Sequence, residues 1–129
     1  MGWYPGKWLE GWLKKVRPQV SPEKISKPEE VARIIEVIAD TLEKMSYDAL
    51  SLTYALPERL AKSLEHHVYV EAKAEYEAMR KLARRMKEMP EHFKEPIELK
   101  TLYNATIDRL SWWIGTLKSM IEDAKIRLY

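Results

Sequence analysis

Residues 31–56 read VARIIEVIADTLEKMSYDALSLTYAL. Apolar side chains fall at Val31, Ile35, Ile38, Leu42, Met45, Ala49, Leu52 and Leu56, in steps that alternate four and three. On a helix, that heptad spacing draws one continuous apolar stripe. Ile34 and Ala39 widen it, as packing inside a bundle requires. A stripe of this length cannot stay in water, so the rest of the chain must supply elements that cover it.

Two further stretches can do so. One begins at Pro57 and runs to about Met89, with Leu60, Leu64, Val68, Ala72, Met79, Leu82 and Met86 at less regular spacing. The other begins near Pro96, with Leu99, Tyr103, Thr106, Leu110, Trp113, Leu117, Ile121, Ala124 and Leu128 in the rhythm of the first. Ser26-Lys27-Pro28-Glu29 fits a capping box at the head of the first helix. Pro57 suits the first turn of the second, and Pro90 and Pro96 bracket the connection MPEHFKEP. Helices of ~30 residues are ~45 Å long, and short connections make neighbours antiparallel. The expected fold class is all-α. Residues 26–129 form an elongated antiparallel bundle of three long helices, and residues 1–25 form an N-terminal amphipathic helical arm.

A chain of 129 residues, 46% hydrophobic and 33% charged, fits one domain with a packed core and is too apolar for a disordered segment. Cysteine is absent, which excludes disulfides, thiol nucleophiles and thiolate metal sites. Gln19 and Asn104 are the only amides beside many Lys and Glu, a bias that fits a hyperthermophile source or an ordinary Lys/Glu-rich helical protein. The net charge of +2 is unevenly spread. Residues 1–27 hold six basic and two acidic side chains, residues 28–79 five and eleven, and residues 80–129 eleven and seven. Basic ends around an acidic middle point to a partner met by the two ends. No apolar run approaches the ~20 residues of a membrane span. Trp, Pro, Gly and charges interrupt the N-terminus too early for a signal peptide.

The arm is the least expected feature. Trp3, Tyr4, Trp8 and Trp12 sit in its first twelve residues. Trp8, Leu9, Trp12, Leu13 and Val16 share a helical face, with Lys7, Lys14, Lys15 and Arg17 mostly off it. Gly11 weakens such a helix by ~1 kcal/mol. Pro18 and Pro22 then impose a non-helical connection. Four roles suit this mixture. It could meet a membrane interface, a nucleic-acid backbone or a neighbouring subunit anchored by Trp, or it could fold back over its own bundle.

The second basic feature is Arg80-Lys81-Leu82-Ala83-Arg84-Arg85-Met86-Lys87. At 100° per residue, Arg80, Arg84 and Lys87 align, with Lys81 and Arg85 beside them, opposite the apolar residues. Five cations with no acid among them form a phosphate-tracking face; they equally complement a helix C-terminus. Tyr47/Tyr54 and Tyr69/Tyr76 are seven-residue pairs beside the main stripe, and Trp112-Trp113 presents one ring inward and one outward. They read either as a wide core or as a second contact face for another copy. Glu36, Asp40 and Glu43 form a solvated acidic face.

Nothing argues for catalysis. There is no Gly-x-Ser-x-Gly, no glycine-rich phosphate loop and only four Gly. A di-iron bundle needs Glu-x-x-His motifs, and none occurs. Glu65-His66-His67 and His92 are the remaining metal candidates, but adjacent helical histidines point ~100° apart. No metal, no cofactor and no enzyme activity is expected, and His67 is read as a boundary residue.

Tyr4-Pro5-Gly6-Lys7-Trp8, followed by Lys14, Lys15 and Arg17, resembles a Tyr-x-Gly-Lys-Trp-like stretch in the N-terminal segments of coat proteins of filamentous archaeal DNA viruses, of the rudivirus, lipothrixvirus and tristromavirus type. The match covers about a dozen residues; the rest is similar in size, helicity and composition. The resemblance implies a structural virion protein, made in the host cytoplasm, that pairs with itself or a paralogue. It also implies helical stacking around double-stranded DNA in A-form, with Lys7 and Trp8 as arm contacts. The charge argument adds Lys14, Lys15, Arg17, Arg80, Lys81, Arg84, Arg85 and Lys87 as nucleic-acid contacts. Trp3, Tyr4, Trp12, Tyr47, Tyr54, Tyr69, Tyr76 and Trp112 are the expected subunit interface, and a membrane envelope is a further partner that the arm would suit. The alternative function is a small helical adaptor held by its Trp-rich arm to a membrane surface or partner protein.

Overall fold

The computed structural model describes residues 27–51, 53 and 56–128. The expected arm, the Ser26 half of the capping box and Tyr54 lie outside the described residues. What is described is all-α. Helix α1 spans Pro28–Leu50. Helix α2 spans Glu58–His66 and leads into a π-helical segment at His67–Ala72. Helix α3 follows at Lys73–Glu88, then a 3₁₀ turn at Pro90–Phe93, then helix α4 at Pro96–Leu128.

The heptad stripe of α1 is the centre of the core. Val31, Ile35, Ile38, Leu42, Met45 and Ala49 are all fully buried, with Ile34 and Ala39 beside them. Each buried aliphatic side chain of that size contributes ~1.5–3 kcal/mol by leaving water. Thr41 and Thr106 are buried too, and each hydroxyl donates to a carbonyl four residues back, on Val37 and Leu102, at 2.7 Å.

Helix α1 starts with Lys27 as its N-cap and no side-chain capping bond. It ends at Leu50 rather than Leu56. The Ser51 hydroxyl donates to the Asp48 carbonyl and the Thr53 hydroxyl to that of Leu50. These local bonds compete with helical continuation, and Pro57 then disfavours helical backbone in the residue before it. Pro57 is an extended N-cap and not the first helical residue (φ −54°, ψ 146°).

The second stretch is not one regular helix. Its buried residues are Leu64, Val68, Ala72, Tyr76, Met79, Ala83 and Met86. Leu60 and Leu82 are only half-buried, while Tyr76 and Ala83 join the core in their neighbourhood. From Leu64 to Tyr76 the stripe takes three successive steps of four. On a straight α-helix each such step drifts ~40°, so the third lands far off the core. The wider π turn takes up that drift.

Arg80 reaches Asp40 and Glu43 while Lys87 reaches Glu36, so α3 runs antiparallel to α1. Arg109 pairs with Glu75 and Trp113 lies against His67, so α4 runs back along α3. Helix α1 packs along both α3 and α4, and α2 touches α4. Helices α3 and α4 approach each other only sparsely; side chains bridge the space between them. Leu99, Tyr103, Leu110, Trp113 and Leu117 of α4 are buried.

Candidate nucleic-acid interface

The basic run occupies the last two turns of α3, where Arg85 and Lys87 complement the helix dipole. The fold divides its five cations. Arg80 donates from one terminal nitrogen to Asp40 and Glu43, both at 2.8 Å, and Lys87 donates to Glu36 at 2.7 Å. The acidic residues of α1, expected as a solvated face, are the partners of these two cations. Arg80 and Lys87, expected to contact phosphate, are thus engaged within their own chain. This sidedness follows from packing: Arg80 sits one turn beyond buried Tyr76, on the flank that faces α1.

Arg80 also lies over the Tyr76 ring, 5.0 Å from its centroid. Hydrogen bonds to Glu43 and Asp40 hold its guanidinium above the usual arginine range, against the opposing effect of burial. Burial, followed by the neighbouring Tyr47 and Glu43, pushes the Tyr76 phenol up to about 12.

Lys81 and Arg85 point the other way, and Arg84 lies between the two sides, also lining a recess of about 300 Å³ with Glu36, Asp40, Arg80 and Lys87. All three are exposed, and among the described residues no carboxylate pairs with them. With Ala78 and Leu82 they line an open, mainly apolar recess of about 500 Å³. Its floor is aliphatic and its rim cationic. Such a surface can take phosphate oxygens at the rim through charge, which positions a polyanion without reading its sequence.

The aromatic residues also separate. Tyr47, Tyr69 and Trp112 are about half exposed, as a contact face requires. Tyr76, expected beside Tyr69 on that face, is 4% exposed and belongs to the core. The π turn between the two breaks their seven-residue alignment. Trp113 is buried and Trp112 stands edge-on to it at 4.9 Å, inward and outward as the sequence suggested. Arg109 covers the Trp112 ring at 4.6 Å and pairs with Glu75.

The π turn explains a contact that sequence spacing missed. Glu71 meets His67 Nδ1 at 2.9 Å and His66 Nε2 at 3.5 Å with its two oxygens. A wide turn brings residues five apart into register, so adjacent histidines share one carboxylate. His67 is part-buried against Trp113, a boundary position. His92 is exposed on the 3₁₀ turn. Among the described residues, no group of three ligating side chains is arranged to hold a metal ion.

Lys7, Trp8, Lys14, Lys15, Arg17, Trp3, Tyr4 and Trp12 lie outside the described residues, as does Tyr54. The fold therefore brings together only Lys81, Arg84 and Arg85 of the expected nucleic-acid contacts as an unpaired cluster. Compared with protein-family models, curated proteins and solved structures, the chain matches none.

Proposed function

We propose that this chain is a structural subunit of a helical filament that packages double-stranded DNA without reading its sequence. In this reading the helices form an elongated antiparallel bundle that builds the filament wall, and the N-terminal arm lies against the duplex. The observation that carries it is the cluster of Lys81, Arg84 and Arg85, exposed, without a carboxylate partner among the described residues and rimming an apolar recess. The arm's Lys7, Lys14, Lys15 and Arg17 add a second set of cations. Binding comes from phosphate neutralisation and counterion release. The bundle has a structural and not an enzymatic role, and its place is the virion.

Electron microscopy of the purified protein with and without double-stranded DNA tests this reading. Regular DNA-containing filaments are the expected result, dissolving as salt rises. A small monodisperse oligomer that ignores DNA at low salt would sink it.

The exposure of Trp112, Tyr69 and Val70 favours a second reading, an adaptor that docks a partner protein. No helix among the described residues is long and apolar enough to cross a membrane, so membrane contact in that reading falls to the arm. Liposome co-sedimentation of Trp8→Ala and Trp12→Ala variants decides it, since unchanged sedimentation removes membrane anchoring.

A further inference from the structure

The sparse approach of α3 and α4 leaves a groove along the outside of the molecule. Its upper part is a recess of about 360 Å³ lined by Glu71, Glu75, Ala74, Ala78, Arg109 and the two Trp. Ala78 also lines the basic recess below it, so the two join along one flank of α3. The groove thus runs from an acidic end at Glu71 to a basic end at Arg85, over a floor of small side chains. Half-exposed Trp112 forms its aromatic wall. Trp113, 1% exposed, also lines it, and its indole N–H has no hydrogen-bond partner. Buried donors are rarely left unmatched.

We infer that this groove is the seat for the N-terminal arm of a second copy of the chain. Three features of the arm match it. Trp8, Leu9, Trp12, Leu13 and Val16 recur at the spacing of a short amphipathic helix, the form that lies in an apolar groove between helices. The alanine floor leaves room for the arm's indoles. The arm's flanking cations complement Glu71, which meets the rings of His66 and His67, whereas Glu75 is already paired with Arg109.

Charge and tether decide between the chain's own arm and another's. Lys87 pairs with Glu36, so the start of α1 lies at the basic end of the groove. An arm laid upward from there would set Lys14, Lys15 and Arg17 against Lys81, Arg84 and Arg85. Turning it round would stretch the linker from Pro18 to Lys27 toward its limit of ~3.4 Å per residue. A second copy has no such tether. Its arm enters in the opposite direction, so that Lys14, Lys15 and Arg17 lie toward Glu71 and away from Lys81, Arg84 and Arg85, and only Lys7 lies at the basic end. One patch gripping a different patch on the next copy is a heterologous contact, which propagates into an open filament. The inference deepens the filament reading and rests on it.

The absence of cysteine makes a direct test available. Trp12→Cys protein is mixed with Ala78→Cys protein and oxidised, with and without DNA. The expected product is the mixed covalent dimer, in excess of either homodimer. Failure of the mixture to cross-link in both conditions would overturn the inference. So would a doubly substituted chain that closes only on itself, which would assign the groove to the chain's own arm. Ala78 is exposed, so Ala78→Arg should fold normally and, by obstructing the groove, abolish filaments. Undiminished filaments from that variant would also overturn it. DNA retention at low salt is scored separately. DNA-bound filaments without the cross-link would reject the arm seat alone, and the cross-link without DNA binding would reject packaging alone.

Discussion

The two flanks of α3 carry the same kinds of side chain and do opposite things with them. On the flank facing α1, Arg80 and Lys87 are paired with Asp40, Glu43 and Glu36. On the outer flank Lys81 and Arg85, and between the flanks Arg84, have no carboxylate partner among the described residues. A run of five cations in the sequence is therefore two cations that fasten one helix to another and three that remain available. Charge density along a sequence does not distinguish these roles; the angular position relative to the core does. Tyr76 marks the boundary, because the residue one turn later on its flank must face α1.

The largest effect should come from the outer flank. Replacing Lys81, Arg84 and Arg85 together by Ala removes three phosphate contacts, so the slope of log affinity against log salt should become shallower by about 3. Each such contact supplies roughly 1 kcal/mol at ~0.1 M salt, so affinity there should fall ~100-fold or more. Stability should move by no more than ~0.5 kcal/mol per exposed site. Fluorescence anisotropy on a labelled duplex and urea unfolding read the two quantities. An unchanged salt slope would remove these residues from the interface.

The inner flank should show the reverse pattern at smaller size. Arg80→Ala leaves Asp40 and Glu43 near each other without their cation and uncovers the Tyr76 ring. The pair is about a third exposed, so solvent screening keeps the loss to ~1–2 kcal/mol. DNA affinity should change less than about threefold, or about 0.6 kcal/mol. Tyr76 supplies an internal reporter. Its folded value, about 12, stands above the ordinary phenol value of 10.0. The folded state thus holds the proton that the unfolded chain loses, and this contribution is complete below the ordinary value and declines as pH rises toward about 12. Since the Arg80 cation lowers the Tyr76 value, its removal should delay ionisation further. Absorbance titration of the phenolate near 295 nm checks this. A Tyr76 that ionises at the ordinary phenol value of 10.0 would show that the inner flank is open to water.

Much of this is legible in the sequence. The regular steps of Val31 to Ala49 identify the central stripe because heptad spacing has one geometric solution. Trp113 inward and Trp112 outward follow from adjacent positions on α4. Two things were not legible. The acids of α1 and the cations of α3 are some forty residues apart in sequence, and only the packing phase of each helix reveals that they meet. The fate of Tyr76 depended on the π turn, whose trace was the three consecutive four-residue steps at Leu64, Val68, Ala72 and Tyr76. A single step of seven from Ala72 to Met79 hides it. The candidate site was legible as a basic face but not as a divided one.

The π turn supplies the mildest test of the comparison between flanks. Removing one residue between Val68 and Ala72 changes the steps from Leu64 to Met86 into alternating four and three, the pattern of α1. Val70 is 55% exposed and contributes little to the core, so it is the residue to delete. The shortened chain should form a regular α-helix there. The cost should be no more than ~1 kcal/mol, since an exposed side chain is lost and the buried stripe is kept. The spacing from Tyr76 to Lys87 is untouched, and α3 is held by its own contacts with α1. Arg80 should therefore keep Asp40 and Glu43, and the outer cations should keep their salt slope. Only the sharing of Glu71 by His66 and His67 should change, because it depends on the wide turn. Circular dichroism and urea unfolding, run beside the duplex titration, separate the outcomes. If the deletion alters DNA binding as much as loss of the outer cations does, the phase of α3 is set by the π turn. In that case the two flanks owe their difference to one inserted residue, not to the packing of α3 on α1.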